Sequence, residues 1–446
     1  MSEDGAEQRY VKEAFDTNWV VPLGPNVNAF EQDLENFMTP SPALPEGEGA
    51  RKRVVALSSG TAAVHLGLLC AGVKPGDEVI VQSFTFCAST HPVTYLGAKP
   101  VLVDSEPDTW NIDPELMEEA IKDRIAKTGK KPAAIVPVAL YGMPYKADRI
   151  MEIANKYGIP VVEDAAEGFG SRYKGRVLGT FGKYGVLSFN GNKMITTSGG
   201  GALITEDEDH WREVMMYATQ YRESYPYYQH EKIGYNYRMS NICAGIGRGQ
   251  MTVVEDHLKH HKHVQKMYEE LLADVPGVHV HSQPDEWSMV HGQRSMVYDS
   301  NYWLCTITID PLVRVKGQEN AYKTIVTGAV GGAAGVIHAA ESAHTDCEPN
   351  ANVEAMRVAL DKAQIEARPV WKPMHKQPCY LQGNVKIEKC KNENISCVTS
   401  DSSIAYVNGV SEALFKVGMC LPAGPYVTDD DVRYIVDTIK AAIERA

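Results

Sequence analysis

The sequence predicts an α/β fold: a large domain with a mainly parallel seven-stranded sheet, followed by a smaller α+β domain. Three observations carry this prediction. Between residues 54 and 205, short β-branched runs alternate with helical patterns. Those runs are almost continuously apolar, as strands covered by helices on both faces must be. After about residue 240 the rhythm breaks into a long amphipathic stretch and then shorter, irregular elements.

Taken in order, the strands are VVAL (54–57), VIV (79–81), VLVD (101–104), AIVPVAL (134–140), PVVED (160–164), GVLSF (185–189) and GALIT (201–205). Between them, TAAVHLGLLCAG, PELMEEAI and ADRIMEIANKYG read as helices. In the first of these Ala62, Ala63, Leu66, Leu69 and Cys70 fall on one face. The stretch MTVVEDHLKHHKHVQKMYEELLADV is a long helix at the junction, so the large domain is expected to cover 1–260 and the small one 261–446. YWLCTITID (302–310) is a strand of the small domain. DDDVRYIVDTIKAAIERA closes the chain as a helix whose acidic start suits its N-terminus. Two segments, near 39–53 and 316–350, read as surface insertions.

Composition excludes several classes. With 44% hydrophobic and 23% charged residues, the 446-residue chain is neither disordered nor a disulfide scaffold. A net charge of −13 argues against nucleic acid or an anionic membrane as partner, so an anionic ligand needs a local basic pocket. MSEDGAEQRY lacks the basic-then-apolar start of a secretory signal, and the uncharged stretch Thr324–Ala340 is shorter than the ~20 apolar residues of a membrane helix. The chain therefore reads as cytoplasmic. Its nine cysteines include no C-x-x-C pair, which suits reduced thiols, and no metal site is expected. His257 and His261 share a helical face that could bind a metal, but a solvated or interface helix is the stronger reading.

In a parallel sheet, ligands gather at the carboxyl ends of the strands. Ser58-Ser59-Gly60-Thr61 opens a helix after the first strand, where small residues and free N–H groups suit a phosphate. Asp164 ends the fifth strand, where a buried carboxylate must be paired, hydrogen-bonded or functional. Ser188 and Lys193 follow the sixth. Alone, each has an ordinary reading as a cap or a solvated charge. Jointly, a phosphate cradle, a buried acid and an amine match the needs of pyridoxal phosphate, with Phe86 placed to stack on its ring. A nicotinamide dehydrogenase is disfavoured because no G-x-G-x-x-G opens a helix after a strand, GAVGGAAG having the wrong spacing.

Six motifs in order, SSGTAAVHLGL, PGDEVIVQSFTFCAST, IPVVEDAAEGFGSRYKG, SFNGNKMITTSGGGALIT, GYNYRMSNICAGIGRGQ and ARPVWKPMHKQP, resemble the DegT/DnrJ/EryC1/StrS sugar aminotransferases, fold-type I pyridoxal phosphate enzymes. The resemblance implies that Lys193 is the Schiff-base lysine and Asp164 the partner of the pyridine nitrogen. Gly60, Thr61 and Ser188 would contact the phosphate, and Phe86 the ring. Glu167 would lie on the hydroxyl side of the ring, and Asn236 would reach the phosphate of a neighbouring subunit in a homodimer. ARPVWKPMHKQP and YYQHEKIGYNYRMSN look closest to the bacillosamine-type branch. That branch implies transfer from L-glutamate to the C4 ketone of a UDP-linked 4-keto-6-deoxy-N-acetylhexosamine. Arg238, Arg368, Lys372 and His375 would then bind this nucleotide-linked sugar. The alternatives are a GDP-4-keto-6-deoxymannose aminotransferase and a non-catalytic, cofactor-binding regulatory protein.

Overall fold

The computed structural model describes residues 1–39, 52–290, 293–322, 347–390 and 392–444. The body of both expected insertions, with the GAVGGAAG run, lies outside these residues. All seven expected strands form: Arg53–Leu57, Glu78–Gln82, Lys99–Val103, Ala134–Val136, Val162–Asp164, Tyr184–Ser188 and Gly201–Thr205. Their residues are almost wholly buried, which is why the sequence is apolar without alternation. Two ladders carry them. One runs in the spatial order 53–57, 201–205, 184–188, 162–164, and the other contains 99–103, 78–82 and 134–136. Parallel bridges Ile135–Val161 and Val138–Asp164 connect the two.

The strand Gly201–Thr205 is antiparallel to both its neighbours, whereas the other four junctions among the seven are parallel or bridged in parallel. The cause is local: the segment 189–200 that connects it to Tyr184–Ser188 holds no helix to cross over the sheet, so the chain turns straight back. That segment carries Lys193.

The helix Gly60–Cys70 is buried on nearly every side, including Val64, His65 and Leu68. It sits beneath Glu208–Ala218 as well as against the sheet, so the single apolar face expected from its spacing understates its burial. A second core gathers Val264, Tyr268, Ile307, Met356, Met419 and Ile435 around the four-stranded sheet 278–280, 305–309, 418–421, 368–369. The junction helix spans Val254–Leu272, so a boundary at residue 260 falls within it. The last helix, Asp429–Ala442, opens with a capping box in which Thr428 and Asp431 satisfy each other's backbone N–H groups. Residues 386–407, expected within the small domain, instead add three strands to the edge of the large sheet through parallel pairing of Ile404–Val407 with Lys99–Val103.

Among the described residues, no helix is long and apolar enough to cross a membrane.

Candidate active site

A cavity of 340 Å³ opens at the carboxyl ends of the central strands, within the size range of small-molecule sites. Gly60, Thr61, Phe86, Asp164, Glu167, Ser188 and Lys193 all line it. They come from four separate stretches of sequence.

The cradle side is built by the start of the helix Gly60–Cys70. Ser59 caps it, accepting the N–H of Ala62 at 3.0 Å. A Cβ on Gly60 would stand 2.9 Å from the Cβ of Ser188, and one on Gly201 would run into the Ser59 backbone. The small residues thus let two strand ends and a helix N-terminus converge, leaving N–H groups free for an anion.

Asp164 is buried, and each of its oxygens is engaged. Oδ2 accepts the Ser89 hydroxyl at 2.6 Å and Oδ1 the Ala166 N–H at 3.1 Å. Ser89 lies 2.8 Å from the Thr85 hydroxyl, giving a buried Thr85–Ser89–Asp164 chain. Burial pushes the Asp164 carboxyl above the usual range, while the Ser89 and Ala166 hydrogen bonds and the Lys193 charge oppose that rise. Glu167, also raised by burial, lies 3.3 Å from the Lys193 Nζ and accepts the Tyr141 N–H at 2.7 Å. Tyr141 holds a left-handed φ of 55°, uncommon for a non-glycine residue and costing about 1–3 kcal/mol. Its hydroxyl accepts the Trp371 N–H at 2.7 Å, tying Glu167 to the strap that carries Trp371.

Trp303 and Trp371 complete the cavity, and sequence reasoning did not select either for it. The Lys193 Nζ stands 3.8 Å from the Trp303 ring centre, and the Trp303 indole N–H donates to the Asn192 carbonyl at 2.6 Å. Trp371 lies 5.7 Å from Phe86, centre to centre. Trp371 stood within a motif quoted for the resemblance. Trp303 carried no local signal, since it lies more than a hundred residues from the lysine it covers.

The four basic residues expected at the substrate are dispersed. Arg238 donates to Glu31 at 2.5 Å and to the Ala56 carbonyl at 3.0 Å, a nearly buried pair behind the first strand. His375 is buried, its Nδ1 2.7 Å from the Ser83 hydroxyl. Neither lines the cofactor cavity or the two cavities beside it. Arg368 pairs with Glu366 at 2.6 Å on the wall of an adjoining 780 Å³ cavity, and Lys372 lines a third, of 320 Å³. Asn236 is exposed and outside the cofactor cavity of its own chain.

A strand-end cavity holding an amine, a buried acid and an N–H-rich cradle defines a fold-type I pyridoxal phosphate enzyme. Its residues fit the group: Gly60 and Gly201 lack the side chains that would push the helix start and its N–H groups away from the strand ends, and the acid is buried without a full counter-charge. The chain belongs to the DegT/DnrJ/EryC1/StrS aminotransferase family, whose model matches residues 1–311. It is 37% identical over 439 residues to EpsN of Bacillus subtilis, assigned as a pyridoxal phosphate-dependent aminotransferase, covering 98% of this chain and 92% of the relative. It is 30% identical over 435 residues to GDP-perosamine synthase of Escherichia coli O157:H7, covering 98% and 95%. A family member from Brucella abortus has the same fold, with a TM-score of 0.74, 23% identity and coverage of 98% and 95%. The protein is thus a pyridoxal phosphate-dependent sugar aminotransferase.

Proposed function

We propose that the protein moves an amino group from L-glutamate to the C4 ketone of a nucleotide-linked 4-keto-6-deoxy sugar, a UDP-N-acetylhexosamine type being the preferred acceptor. The observation that carries this reading is the placement of the Lys193 amine in one cavity with Asp164 and Glu167. Pyridoxal phosphate, when bound, supplies an electron sink for the carbanion that forms when a proton leaves carbon.

Gly60, Thr61 and Ser188 would hold its phosphate, and Asp164 would keep a proton on its ring nitrogen. In the first half-reaction Lys193 takes the α-proton of the donor as general base, and 2-oxoglutarate leaves. In the second, Lys193 returns a proton toward the sugar's C4 side, and a 4-amino-4,6-dideoxy sugar nucleotide leaves. Glu167 holds the Lys193 ammonium between these transfers, and Trp303 limits the water that reaches it. A regulatory protein that only binds the cofactor has no need of this amine beside a buried acid.

A second reading, GDP-4-keto-6-deoxymannose as acceptor, is favoured by the similarity to GDP-perosamine synthase over nearly the whole chain. We further propose a homodimer in which the exposed Asn236 of each chain reaches the other's phosphate site. The test is absorption spectroscopy: L-glutamate should remove the visible band of the Lys193-bound cofactor, and one keto-sugar should restore it. Lys193→Ala should abolish both the band and turnover. Transamination by that variant near the parental rate would refute the mechanism.

A further inference from the structure

The 780 Å³ cavity adjoins the cofactor cavity, and Phe86, Asn192, Lys193, Trp303 and Trp371 line both. Its far wall is the junction helix Val254–Leu272, which presents His257 and His261 one turn apart. Both are more than nine-tenths buried, at 8% and 2% exposure. Each uses Nδ1 on a backbone carbonyl: His257 on Met194 at 3.1 Å, His261 on Tyr302 at 3.0 Å.

A neutral imidazole has one N–H, and a carbonyl can only accept, so the proton of each ring is on Nδ1 and Nε2 is a bare acceptor. Burial lowers both histidines, His261 to about 4, so both are neutral near pH 7. Neither Nε2 makes a hydrogen bond among the described residues. Two unpartnered acceptors on the wall of a cavity call for a ligand with hydrogen-bond donors. The other walls include Trp303, Trp371 and Tyr426, aromatic faces suited to the C–H surface of a pyranose.

We infer that His257 and His261 form a hydroxyl-recognition subsite for the acceptor sugar, holding its ring while the ketone lies at the boundary that Lys193 shares with the cofactor cavity. This rests on the proposed sugar acceptor. It assigns these histidines the role of hydrogen-bond acceptors for a neutral, hydroxyl-bearing ligand, and it separates sugar recognition from the diphosphate, which would meet Arg368 on the same cavity wall.

The two ring nitrogens can be tested apart. Asn places an amide N–H near the Nδ1 position and so keeps the backbone bond, but it has no acceptor at Nε2. Gln reaches the Nε2 position with an acceptor and gives up the Nδ1 bond. The holoenzyme is assayed with L-glutamate and either UDP-4-keto-6-deoxy-N-acetylhexosamine or GDP-4-keto-6-deoxymannose, whichever the parental protein turns over. His257→Asn and His261→Asn should each raise the KM for the keto-sugar roughly three- to tenfold, the range of a neutral hydrogen bond. The KM for L-glutamate should change much less, and each Gln variant should recover most of the loss. A purely structural role predicts the reverse order, Asn mild and Gln damaging, and that result would overturn the subsite. So would equal changes in both KM values. If the parental protein turns over neither sugar, the proposed acceptor fails and this inference fails with it. If it turns one over and the Asn variants keep the parental KM, only the subsite is lost.

Discussion

Asp164→Asn separates what the carboxylate does for chemistry from what it does to stability. The side chains are isosteric, and the surroundings can accommodate the change. Oδ1 keeps the Ala166 N–H, and the new amide donates to the Ser89 hydroxyl, which then turns its own hydrogen toward Thr85 Oγ1 at 2.8 Å. What disappears is a buried negative charge. A unit charge ~4 Å from a protonated ring nitrogen, at an effective dielectric of ~20, favours that protonation by about 4 kcal/mol. Losing it should slow turnover by roughly a thousandfold. The folded Asp164 carboxyl holds its proton to higher pH than the unfolded one, so native stability is fullest below the unfolded pKa and declines as pH rises through the folded value. In the cofactor-free protein, Asn should therefore raise the denaturation midpoint at pH 7, and the advantage should shrink as the pH is lowered. The assay pairs single-turnover kinetics of the holoenzyme with urea melts at two pH values. Turnover within tenfold of parental would refute the role of the charge. A lower midpoint at pH 7 would refute the burial reasoning.

Other substitutions probe single contacts. Ser89→Ala removes the 2.6 Å donor to Asp164, which should raise that carboxyl further and move the acid limb of the kcat profile up by about one to two pH units; an unmoved limb would show that the hydroxyl does not tune it. Gly60→Ala places a Cβ 2.9 Å from that of Ser188 and should weaken pyridoxal phosphate binding, measured by equilibrium dialysis, far more than it lowers the melting temperature. Arg238→Ala leaves Glu31 without its nearly buried partner and should destabilise the fold by about 3 kcal/mol, with little change in the KM for the keto-sugar; the opposite pattern would return Arg238 to the substrate.

What the sequence determined by itself was whatever local physics can specify. A strand covered on both faces has to be apolar throughout, so the seven strands could be read directly from short runs. The strand-end residues Asp164, Ser188 and Lys193 could be placed because a parallel sheet sets its ligands at its carboxyl ends. Gly60 and Thr61 were marked by the turn that opens a helix there. The tertiary structure decided what depends on residues far apart in the chain. It set Trp303 over Lys193 and Ser89 beneath Asp164, and it drew 386–407 onto the large sheet. It also paired Arg238 with Glu31, off the walls of the three cavities around the cofactor site. A positive charge in a sequence carries no sign of its partner, and a tryptophan carries no sign of the amine it covers. Both are fixed only when packing brings distant segments within a few ångströms, where burial makes an unpaired charge too costly to leave alone.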